Sequence, residues 1–274
     1  MINIMQAGNY KVFDGMVISA LSITKHCHEP ITAYILTMDL TELKDVYKPI
    51  PDEDIEILKK IYKRANPNSE VIKLDLTEMY KKEFKNSPSN DNFYTPYTFL
   101  RLFADQLEDL PDKIIYLDTD VVANGDILEL FNIDIQNYEI GAVKDYYGKV
   151  FLGPRYCNAG VLIFNMNMLR QTKMLNRAMH LCVNKKLFLN DQTAIHKCTK
   201  KKKILPSKFN EQHKLKKNTV LRHFSMTLKF VPKFKKQNIK PWNIDGMHNV
   251  LKCHEFDDIL QMWQEIKNNN KRGD

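Results

Sequence analysis

Across the first two hundred residues, short apolar runs alternate with segments whose apolar residues recur at helical spacing. Ile2–Ala7, Ile31–Thr37, residues 71–74 and Lys113–Leu117 read as strands, because each is short, apolar and rich in β-branched or aromatic residues. Residues 14–25 carry Val17, Leu21 and Thr24 on one helical stripe behind Asp14, a candidate N-cap. Residues 51–64 open on Pro51 and a run of acids, which suits the positive end of a helix dipole. Residues 97–107 put Leu100, Phe103 and Leu107 on one stripe. Further on, 161–164 reads as a strand, 168–183 as a helix and 191–197 as a short helix. Such alternation implies βαβ units and a largely parallel sheet, with ligands at the carboxyl ends of its strands. Lys113–Leu117 runs directly into Asp118 and aims it at such an edge.

The pattern changes after residue 197. Residues 197–217 hold nine lysines, and 229–240 is again basic, with Phe230 and Phe234 interleaved. An apolar segment at 219–221 lies between them, ahead of Arg222 and His223. Residues 254–267 read as a closing amphipathic helix, and the polar tail after 267 is expected to fray. No internal repeat and no clean linker interrupts the chain. Residues 1–215 are therefore expected to form one α/β domain, and 216–274 an extension packed on it.

Composition narrows the class. A chain of 274 residues, 43% hydrophobic and 27% charged, can bury a substantial core. No stretch approaches the ~20 apolar residues of a membrane span. Met1–Gln6 lacks the basic start and apolar run of a signal peptide, so a cytoplasmic location is expected. The five cysteines are scattered and include no CxxC pair, which argues against a disulfide scaffold or zinc ribbon. His26-Cys27-His28 are neighbours in sequence that would not face one point on a helix, and read as a polar helix end. The net charge of +8 suggests anionic partners, but only seven of the cations are arginine. Base-edge and bidentate phosphate readout favour arginine, so no nucleic-acid partner is expected. The lysines read as a solvated surface, with peripheral contact to an anionic membrane as the second reading.

The strongest chemical signal is Asp118-Thr119-Asp120 at the end of an apolar strand. Two carboxylates one residue apart can share a hard divalent cation, and such a cation can neutralise a diphosphate. The plain alternative is a polar turn after a strand.

Several segments, in order, resemble glycosyltransferase family 8, the retaining family of the bacterial lipopolysaccharide galactosyl- and glucosyltransferases and the glycogenins. Residues 112–126 (DKIIYLDTDVVANGD) resemble its core motif. Residues 97–103 (YTFLRLF), 156–165 (YCNAGVLIFN), 189–193 (LNDQT) and Lys240-Pro241-Trp242 resemble its further motifs. The likeness spans about residues 1–245. It implies a GT-A fold, a Rossmann-like nucleotide-diphospho-sugar transferase architecture, with a small C-terminal helical extension. It implies that Asp118, Asp120 and His223 hold Mn²⁺, with Mg²⁺ as the alternative. An imidazole beside two carboxylates favours the transition metal. It implies that Asn9, Tyr10, Arg101, Asp118, Thr119, Asn158, Ala159 and Lys240 bind a UDP-sugar donor, and that Asp191 and Gln192 are catalytic. The activity implied is transfer of glucose or galactose, with retention, to a glycan or lipid-linked acceptor in cell-envelope polysaccharide synthesis, on the inner membrane face if the basic surface attaches there.

Two departures stand out. Ala7 occupies a place where the family carries an acidic residue toward the uracil. The spacing between His223 and Lys240 is longer than usual, which leaves Lys229 as a rival for the diphosphate-binding role. The rivals to a transferase are a basic membrane- or nucleic-acid-binding module with a degenerate site, and a metal-dependent phosphatase or nucleotidyltransferase. The first leaves the paired aspartates unexplained. The second needs further carboxylates, and Asp126 is distant in sequence.

Overall fold

The computed structural model describes residues 1–85, 87–91, 95–229 and 235–270, with residues 90, 91, 229 and 235 described in backbone only. Phe230, Lys233 and Phe234 lie outside the described residues, as does the Lys229 side chain.

The first half builds βα units: β1 (Ile2–Ala7), α1 (Phe13–His26), β2 (Ile31–Thr37), α2 (Asp52–Ala65), β3 (Glu70–Asp75) and α3 (Thr77–Phe84). A 3-10 helix, Pro96–Gln106, then precedes β4 (Lys113–Leu117) and the short β5 (Val121–Ala123). The one-turn α4 (Leu128–Phe131) leads to β6 (Ile140–Lys144), α5 (Gly148–Phe151) and the long β7 (Cys157–Asn165). After these come α6 (Met166–Thr172), α7 (Met174–Asn184), α8 (Asn190–Cys198) and β8 (Lys202–Leu205). The chain continues through β9 (Leu221–His223), the antiparallel pair β10 (Thr227–Lys229) and β11 (Lys235–Gln237), and a π-helical turn at Gly246–Leu251. It closes with α9 (Asp257–Asn269), which bonds back to α1 through Trp263 Nε1 to Asp14 (2.9 Å).

Seven strands form one sheet in the order β3-β2-β1-β4-β7-β6-β8. All neighbours run parallel except β7, which is antiparallel to both β4 and β6. That reversal matters for function. It brings the first residues of β7 to the edge where the parallel strands end, so Gly160 accepts a hydrogen bond from Asp118 N–H (2.8 Å). The apolar runs are continuous because both faces of the sheet are covered. Ile115, Leu117, Val161 and Ile163 face a core shared with α1, α2 and α9, while Ile114, Tyr116, Leu162 and Phe164 face a second core under the 3-10 helix, α6 and α7. Ile114 to Leu117 are at most 1% exposed. Each large apolar side chain so buried contributes about 1.5–3 kcal/mol, which fixes the strand end that carries Asp118.

Four sequence expectations need correction. The helix expected over 168–183 is two helices, broken where Lys173 adopts φ 50°. Asp14 is not a cap: α1 starts at Phe13, and the Asp14 carboxylate receives Trp263 Nε1 and Lys267 Nζ from α9. The segment 97–107 is helical but wound as 3-10. The lysine run is not wholly loose surface, since Lys202–Leu205 forms β8 at the sheet edge, a place where lysines block further strand pairing. Among the described residues, no helix is long and apolar enough to cross a membrane.

Candidate metal and donor site

Three elements meet at the end of β4. Asp118 leaves β4 and Asp120 enters β5, and β5 pairs antiparallel with β9 so that Val121 lies opposite His223. Phe224 N–H donates to the Asp120 carbonyl (3.0 Å) and fixes this register. His223 Nε2 thereby stands 3.2 Å from Asp120 Oδ1 and 3.8 Å from Asp118 Oδ2, with His223 only 2% exposed. One ligand atom from each of Asp118, Asp120 and His223 lies within 4.8 Å of the others. Gly160 permits this convergence. A Cβ there would sit 2.7 Å from His223 Nδ1 and 2.8 Å from Asp118 Oδ2, inside any real contact distance. Gly160→Ala is therefore expected to displace His223, destabilise the fold by about 1–3 kcal/mol through overpacking, and lower Mn²⁺ affinity at least ~10-fold. Thermal melts and a Mn²⁺ titration of the variant check this.

The residues present fit a divalent cation. Two carboxylates and one imidazole form an oxygen–nitrogen donor set suited to Mn²⁺. The network also turns the imidazole the right way, because its Nδ1 faces Asn210 Oδ1 (3.1 Å) and its Nε2 faces the carboxylates. Lys240 Nζ pairs with Asp120 Oδ2 and also donates to the Phe224 carbonyl (3.2 Å). Burial pushes the Asp120 carboxyl up, but the Lys240 ammonium is the largest opposing influence, and the group is held well below the usual carboxylate range.

Arg101 forms the other wall. The 3-10 helix carries it, 3% exposed, into the space between Asp118 and Asp191. Its terminal nitrogens reach Asp118 Oδ1 at 3.0 Å and the Ala159 carbonyl at 2.6 Å. Its Cζ lies over the Tyr116 ring, 4.1 Å from the centroid, and Tyr116 in turn donates its hydroxyl to Asp118 Oδ1 (3.0 Å). Nε lies 3.0 Å from Asp191 Oδ2, yet its one hydrogen goes to the Thr98 carbonyl (3.1 Å). Asp191 Oδ2 thus feels a positive charge and receives no hydrogen bond. Burial dominates there and raises the Asp191 pKa to about 6, with Arg101 pulling it down and Asp118 pushing it up.

Asn9, Arg101, Asp118, Thr119, Asp120 and Lys240 line one open cleft with Ala7, Gly8, Val12, Tyr97 and Trp242. Helix α1 comes close enough under it that a Cβ on Gly15 would meet Trp242 at 2.5 Å. Tyr10 stands outside that lining, 38% exposed. Asn158, Ala159, Asp191 and Gln192 do not line the cleft; Ala159 and Asp191 join it through Arg101. Gln192 Oε1 accepts from Ala159 N–H (3.0 Å).

Asp145 went unnoticed in the sequence. Its Oδ2 accepts from Asn158 Nδ2 (3.0 Å) and Gln192 Nε2 (3.3 Å), and its Oδ1 from the Tyr147 and Gly148 N–H groups. A signal was present, since Ile140–Lys144 runs into Asp145 as β4 runs into Asp118.

The family model for Glycosyl transferase family 8 matches residues 3–246. Glycosyltransferase GlyA of Streptococcus pneumoniae serotype 4 is 31% identical over 175 residues, covering 64% of this chain and 22% of that protein. The lipopolysaccharide 1,2-glucosyltransferase of Escherichia coli K12 is 24% identical over 196 residues, covering 67% of this chain and 53% of that one. The chain thus spans less than two thirds of the length of either relative. Among solved structures, galactosyltransferase LgtC in complex with donor and acceptor sugar analogs superposes with a TM-score of 0.67 at 18% identity, covering 95% of this chain and 96% of that one. Glycosyltransferase GlyE of Streptococcus pneumoniae TIGR4 gives 0.63 at 18% identity, covering 97% and 65%. These likenesses make the α/β fold one of GT-A type, as the sequence led us to expect.

Proposed function

The chain belongs to glycosyl transferase family 8, and on that premise we propose that it transfers glucose or galactose, with retention, from a UDP-sugar to a glycan or lipid-linked acceptor. The observation that carries this reading is the convergence of Asp118, Asp120 and His223, with both aspartates lining the cleft. These three would hold Mn²⁺, which when bound neutralises the charge of a diphosphate leaving group. Lys240 lies within reach of the same diphosphate once it leaves Asp120. The nucleoside would occupy the cleft beside Ala7, Asn9 and Tyr97. With Ala7 in place of an acid, the pyrimidine edge would rest on backbone and Asn9.

Arg101, Asn158, Asp191 and Gln192 would surround the transferred sugar. In the front-face reaction we favour, the bond from the anomeric carbon to the phosphate oxygen breaks and a bond to the acceptor oxygen forms on the same face. The acceptor proton passes to the departing diphosphate. Two features support this over a covalent route. The Gln192 carbonyl is already engaged by Ala159 N–H, and the Asp191 carboxylate sits against the Arg101 charge. A buried carboxylate there can stabilise positive charge at the anomeric carbon without attacking it.

That role needs Asp191 ionised. Its pKa of about 6, raised chiefly by burial, sets an acid limb: kcat/KM at saturating Mn²⁺ is expected to fall as pH drops through about 6. Fold stability moves the other way. Between the unfolded value of 3.8 and about 6 the folded chain keeps a proton that the unfolded chain releases, so this group's contribution to stability declines as pH rises. A pH–rate profile of wild type and Asp191→Asn checks it; an acid limb unchanged in the variant would assign that limb to another group.

A lipid-linked acceptor draws support from Val150 and Phe151, which are 72% and 66% exposed on the short helix just after Asp145. The lysines of the β8 edge add positive charge for peripheral contact with an anionic membrane. A cytoplasmic enzyme of cell-envelope polysaccharide synthesis would combine these features. Hydrolysis of a panel of nucleotide-sugars with and without Mn²⁺ tests the reading. Mn²⁺-dependent turnover of a UDP-hexose is expected; no turnover of any donor would overturn it.

A further inference from the structure

Behind the metal-facing side of His223 runs a chain of hydrogen bonds whose direction is fully determined. It begins at a backbone group that can only donate: Gly160 N–H to Asn158 Oδ1, 2.9 Å. That sets the Asn158 amide, whose Nδ2 donates to Asp145 Oδ2 (3.0 Å), a carboxylate that can only accept. Asn158 Oδ1 also accepts from Asn210 Nδ2 at 3.0 Å, which sets the Asn210 amide in turn. The atom left facing His223 Nδ1 is therefore Asn210 Oδ1, at 3.1 Å, and it accepts a hydrogen bond. The proton on this imidazole belongs on Nδ1, and Nε2 is the nitrogen that faces Asp118 and Asp120.

Asn210 and Asn158 are 1% and 6% exposed, so water does not compete for these bonds. The backbone holds Asn210 in place. Glu211 N–H donates to the Leu221 carbonyl (2.9 Å) and His223 N–H to the Glu211 carbonyl (3.0 Å), so the residue that follows Asn210 is bridged to β9. Asp145 also accepts from Gln192 Nε2 (3.3 Å). One relay thus joins the metal-facing histidine to the side chain placed at the reacting carbon.

We propose that Asn210 is a positioning residue that fixes His223 as the Nδ1–H tautomer and so presents the Nε2 lone pair to a divalent cation. The proposal rests on the reading of Asp118, Asp120 and His223 as metal ligands. A histidine that binds a metal through one nitrogen is oriented by the acceptor on the other, and removing such an acceptor typically costs on the order of 10- to 100-fold in metal affinity. Nothing in hydrophobic periodicity distinguishes Asn210 from an ordinary buried asparagine. Its role follows from the direction of the relay.

Two variants separate orientation from packing. Asn210→Leu keeps the branched outline of the side chain, with somewhat more bulk, and removes the acceptor; Asn210→Asp keeps an acceptor for Nδ1–H. Two measurements apply: Mn²⁺ affinity in the presence of UDP, read by electron paramagnetic resonance of the free ion, and the His223 tautomer, read from imidazole ¹⁵N shifts of the metal-free protein at mildly alkaline pH. The expected result is a protonated Nδ1 in wild type and Asn210→Asp and a shift toward protonated Nε2 in Asn210→Leu. Mn²⁺ affinity should fall about 10- to 100-fold in Asn210→Leu and stay within roughly threefold of wild type in Asn210→Asp. Undiminished binding by Asn210→Leu would overturn the assignment and leave the metal reading intact. Equal loss in both variants with an unchanged tautomer would overturn it in favour of packing. Failure of wild type itself to bind Mn²⁺ would overturn the metal reading and this proposal with it.

Discussion

Replacing Asp120 by Asn is expected to lower kcat/KM by about a thousandfold or more while leaving a folded protein. Asp120 is 6% exposed, and its carboxylate faces His223 Nε2 at 3.2 Å and pairs with Lys240. Asparagine keeps its shape and removes its charge. Under the proposed function, a divalent cation held here would draw on that charge for several kcal/mol of transition-state stabilisation, and each ~1.4 kcal/mol is tenfold in rate. The fold loses less. Lys240, 27% exposed, can turn to water, so the variant should melt within several degrees of wild type in EDTA. Excess Mn²⁺ and UDP should raise the wild-type melting temperature, because anything that binds the native state alone stabilises it, and should not raise that of Asp120→Asn. A variant that still gains from Mn²⁺ would place the ion elsewhere.

Replacing Arg101 by Leu is expected to give the largest loss of stability, about 3–5 kcal/mol, or roughly 6–20 °C in melting temperature. Arg101 lies buried between Asp118 and Asp191 and over Tyr116. Burial works against its charge, and the two carboxylates overcome that and hold the guanidinium firmly protonated. Without it, Asp191, 5% exposed, keeps a charge with no counter-ion. The pH dependence identifies the cause. Arg101 is what lowers the Asp191 pKa, so its removal lifts that pKa above about 6. The folded variant then holds its proton to higher pH, and its stability falls as pH rises through the new value. The deficit against wild type should therefore widen from about pH 5 to about pH 8. Arg101→Lys restores the charge without the planar fork and should fall between the two. A deficit independent of pH would mean that lost packing, rather than an orphaned carboxylate, sets the cost.

The sequence was most informative where burial on both faces leaves one interpretation. β1, β2 and β4 lie where the apolar runs placed them, and Asp118 stands at the end of β4 because that run stops there. β6 was missed, with Gly141 and Ala142 diluting its apolar pattern, and β8 because its lysines sit at a sheet edge that needs charge rather than a core face. The break at Lys173 has no glycine or proline to announce it. β7 was read as four residues at 161–164, and its functional start, Cys157 to Gly160, consists of small and polar groups that no periodicity marks. The reversal of β7, and so its meeting with Asp118, is a property of topology. Asp118 and Asp120 were legible as paired carboxylates at a strand end, Arg101, His223 and Lys240 only through motif resemblance, and the structure brings the five together. Asn210 carries no such motif, and only the geometry of the hydrogen bonds singles it out, while Asp145 had only its place after β6 to mark it.

The most direct test is a crystal of this chain grown with Mn²⁺ and UDP, with anomalous scattering recorded at the manganese edge. The expected result is one strong peak in coordination distance of Asp118, Asp120 and His223 Nε2, with both phosphates of UDP on the same ion and Lys240 turned from Asp120 toward them. A peak on His248, His254 and Asp257, the other cluster of metal-ligating side chains among the described residues, with UDP outside the cleft, would contradict the central claim.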